Sequence, residues 1–149
     1  MAYSKTNWVS GETPLSAGNM NNIEDGIELL DSNLGKLVTI ADTTVNVASS
    51  GTGNTVLQTV TLPAGVYIFV TMVSFASNSN GMRGISISTN SSIQTPYYES
   101  KNAVSSASSC LSLTRIIHSE DPVTLRVIGR QTSGSNLSAT THSSIVRLK

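Results

Sequence analysis

The side chains able to do covalent, acid–base or metal chemistry are few in this chain, and their spacing decides what they are for. Cys110 is the single cysteine, so no internal disulfide framework is available. It lies in Ser109-Cys110-Leu111-Ser112-Leu113, an alternating run that reads as a strand. A nucleophilic thiolate needs a partnering histidine and an electropositive surrounding; in a strand, a free cysteine serves as a small buried hydrophobe. His118 and His142 have no second ligand at metal-site spacing. They read as surface or interface histidines, the sharper alternative being that three copies converge on an assembly axis. Glu120 and Asp121 are adjacent, just before Pro122. A glycosidase pair has to face across a saccharide, so these two are turn residues. Gly51-Thr52-Gly53 lacks the Lys-Ser/Thr and the following helix of a phosphate loop. No catalytic residue, metal or cofactor is expected, and the chain does not read as an enzyme.

What remains is recognition chemistry. Tyr97 and Tyr98 carry flat apolar faces tipped with hydroxyls, which suit sugar rings, while Asn78, Asn80 and Arg83 can hydrogen-bond sugar hydroxyls. These five are the candidate receptor contacts; packing of the tyrosines at a subunit boundary is the competing reading. Trp8 lies in an irregular arm that turns at Glu12-Thr13-Pro14 and runs to about Leu15. In a mobile arm it is an anchor buried in a partner; in a packed arm it caps the helix that follows.

The elements that must position these residues fall in two parts, 1–37 and 38–149. Ser16 is placed to cap a helix. Beyond it Met20, Ile23, Ile27, Leu30, Leu34 and Leu37 step by three and four in turn, the seam of a short coiled coil. Glu24, Asp25 and Glu28 sit toward its positive end. Gly18 and Gly26 lie off the seam and each weakens the isolated helix by about 1 kcal/mol relative to Ala. Such a helix needs partners, either further copies of itself or the face of its own following domain. Gly35 and the β-branched Val38-Thr39-Ile40 should end it. Short strands then follow, over 38–47, 55–62, 66–75, 84–89, 110–118, 123–130 and 143–148, with Gly, Asn and Ser at the joins. The stretch 90–109 reads as long and polar, interrupted by Pro96-Tyr97-Tyr98. The result is a mainly β chain with an antiparallel sandwich or jelly roll.

Only 12% of residues are charged, about half the usual share, and Ser and Thr alternate with β-branched residues as on a sheet face solvated by hydroxyls. The formal net charge is zero and no Lys/Arg cluster exists, which argues against a nucleic-acid partner. No run is long and apolar enough to cross a bilayer as a helix. No basic segment followed by an apolar core opens the chain, so Sec export is not expected. Cytoplasmic synthesis followed by release on lysis fits this composition, and so does an ordinary cytosolic protein.

The stretch from Asn7-Trp8 through Gly11-Glu12-Thr13-Pro14 to Asn21-Asn22-Ile23-Glu24-Asp25-Gly26-Ile27 resembles the N-terminal motif of tailed-phage and prophage tail, baseplate or fibre proteins. Val60-Thr61-Leu62-Pro63-Ala64-Gly65-Val66-Tyr67-Ile68-Phe69 is similar to the turn and long strand of C1q/TNF-like trimeric jelly rolls, and 141–148 resembles their closing strand. The resemblance implies a homotrimer on a virion. Its arm, with Trp8, Pro14 and Leu15, would dock on other tail or baseplate proteins, its helices would form a coiled-coil stalk, and its heads would bind host cell-surface saccharide. A fibre connector or capsid-decoration protein without a ligand site is the alternative. A small polysaccharide depolymerase and a bacterial C1q-like surface module are less favoured.

Overall fold

The computed structural model of the protein describes residues 16–49, 53–89, 98–103 and 107–148, excepting the side chains of 31–33 and 98. Helix α1 (Ala17–Asn33) begins where expected: the Ser16 hydroxyl accepts from the Asn19 N–H at 3.2 Å. It ends at Leu34, whose backbone is extended (φ −90°, ψ 135°), followed by Gly35 at φ +73°. A left-handed glycine stops the helix and redirects the chain. The Gly35 N–H then donates to Arg147 O at 2.8 Å, tying the helix exit to the sheet.

Eight strands follow: β1 (Leu37–Val47), β2 (Thr55–Leu62), β3 (Gly65–Phe75), β4 (Met82–Thr89), β5 (Tyr98–Asn102), β6 (Ser109–Ser119), β7 (Val123–Gln131) and β8 (Leu137–Arg147). They form two four-stranded antiparallel sheets, β1-β8-β3-β6 and β2-β7-β4-β5. The protein is a mainly β sandwich with one short helix. Every connection except β4 to β5 passes from one sheet to the other.

The alternation of each strand sends one set of residues between the sheets. Phe69, Val73 and Phe75 from β3, Leu111 and Ile117 from β6, Ile85 and Ile87 from β4, and Leu125 and Val127 from β7 are all buried there. A polar belt crosses this core. The Gln58 amide donates to Ala41 O at 2.9 Å and its oxygen accepts from the Ser143 hydroxyl, which lies 2.9 Å from Thr71 Oγ1. The Thr43 hydroxyl donates to Leu57 O at 2.8 Å. Both links fall where β1 and β2 change register, between Ile40 and Thr43 and between Val56 and Gln58. A bulge leaves main-chain groups off the ladder, and these side chains satisfy two of them across the sandwich.

Several sequence-based expectations are corrected. Leu37 is the first residue of β1, paired with Val146, and not the last residue of a helical seam. Leu34 is the helix cap, so four seam positions lie within α1: Met20, Ile23, Ile27 and Leu30. The cause is the Gly35 turn combined with the β-branched run that follows it. A strand, β5, lies inside the stretch read only as long and polar, and β8 starts at Leu137, six residues earlier than expected. In both, hydroxyl, charged and amide side chains occupy the alternate positions where apolar residues were sought. The arm residues Trp8, Pro14 and Leu15 lie outside the described residues.

Candidate functional site

The strand ends divide the sandwich into a helix end, where α1 enters, and a far end. At the helix end the Leu148 N–H donates to Val66 O, the Tyr67 hydroxyl donates to Pro63 O, and Arg147 lies over the Tyr67 ring at 5.8 Å. The Glu120-Asp121 bend is also there, with the Ser119 hydroxyl donating to Asp121 O at 2.7 Å, as turn chemistry predicts.

At the far end, the segments 76–81 and 132–136 are locked together. The Asn80 N–H donates to Asn78 Oδ1 at 2.8 Å, an Asx turn. Asn78 Nδ2 donates to Ser135 Oγ at 3.3 Å, the Thr132 N–H to Met82 O at 3.0 Å, and the Met82 N–H to Thr132 Oγ1 at 2.9 Å. Gly81, at φ +73°, passes so close that an added Cβ would sit 2.2 Å from Thr132 O. Gln131, fully buried, donates from Nε2 to Val47 O and Ser135 O and accepts the Ser133 N–H.

Arg83 organises this end from inside. It was expected to touch a ligand, but its accessibility is 0%. β4 alternation turns it inward beside its register partner Gln131. Nη1 donates to Asn80 O (2.8 Å) and Met82 O (3.2 Å), and Nη2 to Asn78 O (3.1 Å). Its Nε is buried without a partner among the described residues. Burial pushes its pKa below the usual arginine value by desolvating the charged form. Arg83 is a loop-positioning residue.

Asn78 and Asn80 share the far-end rim. Tyr98 does not join them: its backbone pairs with Ser86, four residues along β4 from Met82, or about 13 Å at strand rise. Only its backbone position is described, and Tyr97 lies outside the described residues.

The outer face of the β1-β8-β3-β6 sheet was not singled out from sequence. Register places Ile116, Ile68, Val146 and Leu37 in one cross-sheet row, close enough for neighbouring side chains to touch. Val70 and Met72 extend it toward the far end, and Val66 and Leu148 toward α1. Ile116 and Leu37 are 69% and 62% exposed. On α1, Met20, Ile27, Leu30 and the capping Leu34 are exposed as well, and Ile23 is half-buried. The signal for this face was present in sequence, since Val66, Ile68, Val70 and Met72 alternate with the core residues of β3. An apolar run on both faces reads as a central buried strand, which concealed which face is open.

Cys110 is also corrected: it is exposed on that outer face, 3.5 Å from Ser74 Oγ, because Leu111 takes the inward position. On the same face His142 Nδ1 lies 2.7 Å from Asp42 Oδ2, in the β1 bulge. His118 borders an open hollow of about 260 Å³ lined also by Thr89, Arg115 and Val123. No group of three or more His, Cys, Asp or Glu side chains able to hold a metal occurs among the described residues.

No protein-family model matches this chain, and the search of curated proteins returns no match either.

Proposed function

We propose that this protein is a self-assembling, stalked β-sandwich head, a phage or prophage tail-associated module that forms a homotrimer and adheres to host-surface saccharide. The observation that carries the assembly is the outer face of the β1-β8-β3-β6 sheet, whose apolar row reaches Leu37 beside the α1 exit, while α1 carries an exposed apolar stripe of its own. Exposed patches of this kind mark interaction surfaces, and a 17-residue helix with two interior glycines is too weak to stand alone. The strand order supports reading the sandwich as a jelly roll, in which two Greek keys interleave. The N-terminal motif supports docking to other tail proteins. The two faces would pack around a common axis, with the far-end rims turned away from the stalk. Three weak sites on one rigid body then bind a repetitive surface through avidity.

The test is absolute mass by light scattering on the full chain and on Ile116→Asp. The expected result is three times the 15.6 kDa chain mass, falling toward the monomer in the variant. A monomeric full chain at micromolar concentration rejects the assembly. The second reading, a connector without a ligand site, is favoured by the burial of Arg83, which removes the one charged contact among the five candidates. Cell adsorption by the intact trimer separates the two.

A further inference from the structure

We propose that the far end of the sandwich, built from segments 76–81 and 132–136, is the ligand seat and takes a saccharide bearing negative charge. This rests on the adhesion reading above and supplies the position and chemical class of its ligand.

The rim is prebuilt. Arg83 draws three carbonyls of 78–82 inward, Gly81 lets that segment touch Thr132, and Gln131 fixes 133–135. A rim already held in one shape loses little freedom on binding, which is where affinity for a flexible polyhydroxyl ligand is otherwise lost. Burying a guanidinium at the base of a surface loop, with one nitrogen unpartnered, is costly; such local costs are retained where they hold a functional surface. Apart from Ala76, the side chains left exposed on the rim are amides and hydroxyls, including Ser79, Asn80, Thr132 and Asn136, which both donate to and accept from sugar hydroxyls.

The charge class follows from where the ionisable groups lie. Arg83 is held by carbonyls, and none of its described partners is a carboxylate. No described carboxylate therefore offsets its positive charge, and the guanidinium lies just beneath the rim, where its field acts on a ligand at short range. Lys101, exposed, pairs in register with Arg83, and Arg130 pairs with Gly84 one residue along. Segments 76–81 and 132–136 contain no charged residue. The nearest carboxylate in the β4–β5 register is Glu99, two residues back from Lys101, and it accepts from the Ser112 N–H. Glu24, Asp25 and Glu28 lie on α1, and Glu120 and Asp121 in the bend at the helix end. Arg83 and Lys101, the described charges in register at the rim, are thus both positive, while the helix end carries these carboxylates together with Lys36 and Arg147. A neutral sugar gains nothing from that field, whereas a phosphodiester- or carboxylate-bearing saccharide does.

The experiment is biolayer interferometry of the full chain against immobilised poly(glycerol phosphate), polysialic acid and dextran, in low and high salt. Light scattering is run on the same samples. Binding to either anionic polymer, weakened by salt, with no binding to dextran, is the expected result. The anionic polymer that binds tells phosphate from carboxylate. Lys101→Glu and the near-isosteric Asn136→Asp should each weaken binding by about tenfold or more, roughly 1.4 kcal/mol, while Lys36→Glu at the opposite end leaves it unchanged. Equal binding to dextran, equal effects of Lys36→Glu and Lys101→Glu, or no binding of either anionic polymer by a trimeric chain overturns the proposal. A monomer that binds the anionic polymer with the expected variant pattern supports this site while rejecting the assembly.

Discussion

Arg83 donates to three main-chain carbonyls at the rim, and although Met82 O also accepts the Thr132 N–H, removing Arg83 leaves Asn78 O and Asn80 O without their described donor. Each such group costs about 1–3 kcal/mol, and we predict that Arg83→Ala loses about 3 kcal/mol in urea unfolding. Neighbouring glycines separate close contact from backbone strain. Gly81→Ala meets both a φ of +73° and a backbone atom 2.2 Å away, whereas Gly134, at φ +88°, has nothing within 4 Å. Gly134→Ala should therefore cost about 1–2 kcal/mol, the ordinary left-handed penalty, and Gly81→Ala clearly more; thermal melts of the two variants decide it. The His142–Asp42 pair is 44% and 54% exposed, and pairs so placed contribute about 0–1 kcal/mol. His142→Ala should accordingly leave the unfolding midpoint nearly unchanged.

At the scale of elements, α1 and the open face of the β1-β8-β3-β6 sheet are apolar and have no cover among the described residues. Substituting them should act on assembly and hardly on the fold of one chain. Ile27→Asp and Val70→Glu are predicted to lower the mass seen by light scattering, with strand content by circular dichroism retained. Surface changes of this kind normally move monomer stability by no more than about 0.5 kcal/mol. If either variant instead unfolds the chain at unchanged mass, that face belongs to an intramolecular core. The far side of the same sandwich is closed by polar links. Arg115 Nη1 donates to Ile87 O at 3.1 Å, just past the Ser86–Tyr98 pair where β5 begins, and Glu99 accepts from the β6 edge at Ser112. These cover edge groups that would otherwise pair with another chain.

For the whole molecule, the sequence carried the class and most of the strands, because burial on one face writes a period of two into the residues themselves. It carried the helix start through Ser16 and the stop through Gly35, since caps and left-handed turns are local chemistry. It missed β5 and the first half of β8, where Ser, Thr, Glu and Lys fill the alternate positions and leave too weak a contrast to read. The candidate site was legible only in part. Asn78, half-buried, and Asn80, exposed, are turn residues whose types announce them. Local spacing says nothing, however, about which side of β4 faces the core, so Arg83 read as a contact when it is an internal brace. Nor could it bring 132–136 against 76–81, because those segments are about fifty residues apart and meet only when two sheets stack. Composition and periodicity determined that this is a β-rich chain with an amphipathic helix at its N-terminal side. Only the tertiary structure decided which polar side chains form one rim and which apolar face stays open, because a strand's inward side is chosen by the sheet packed against it.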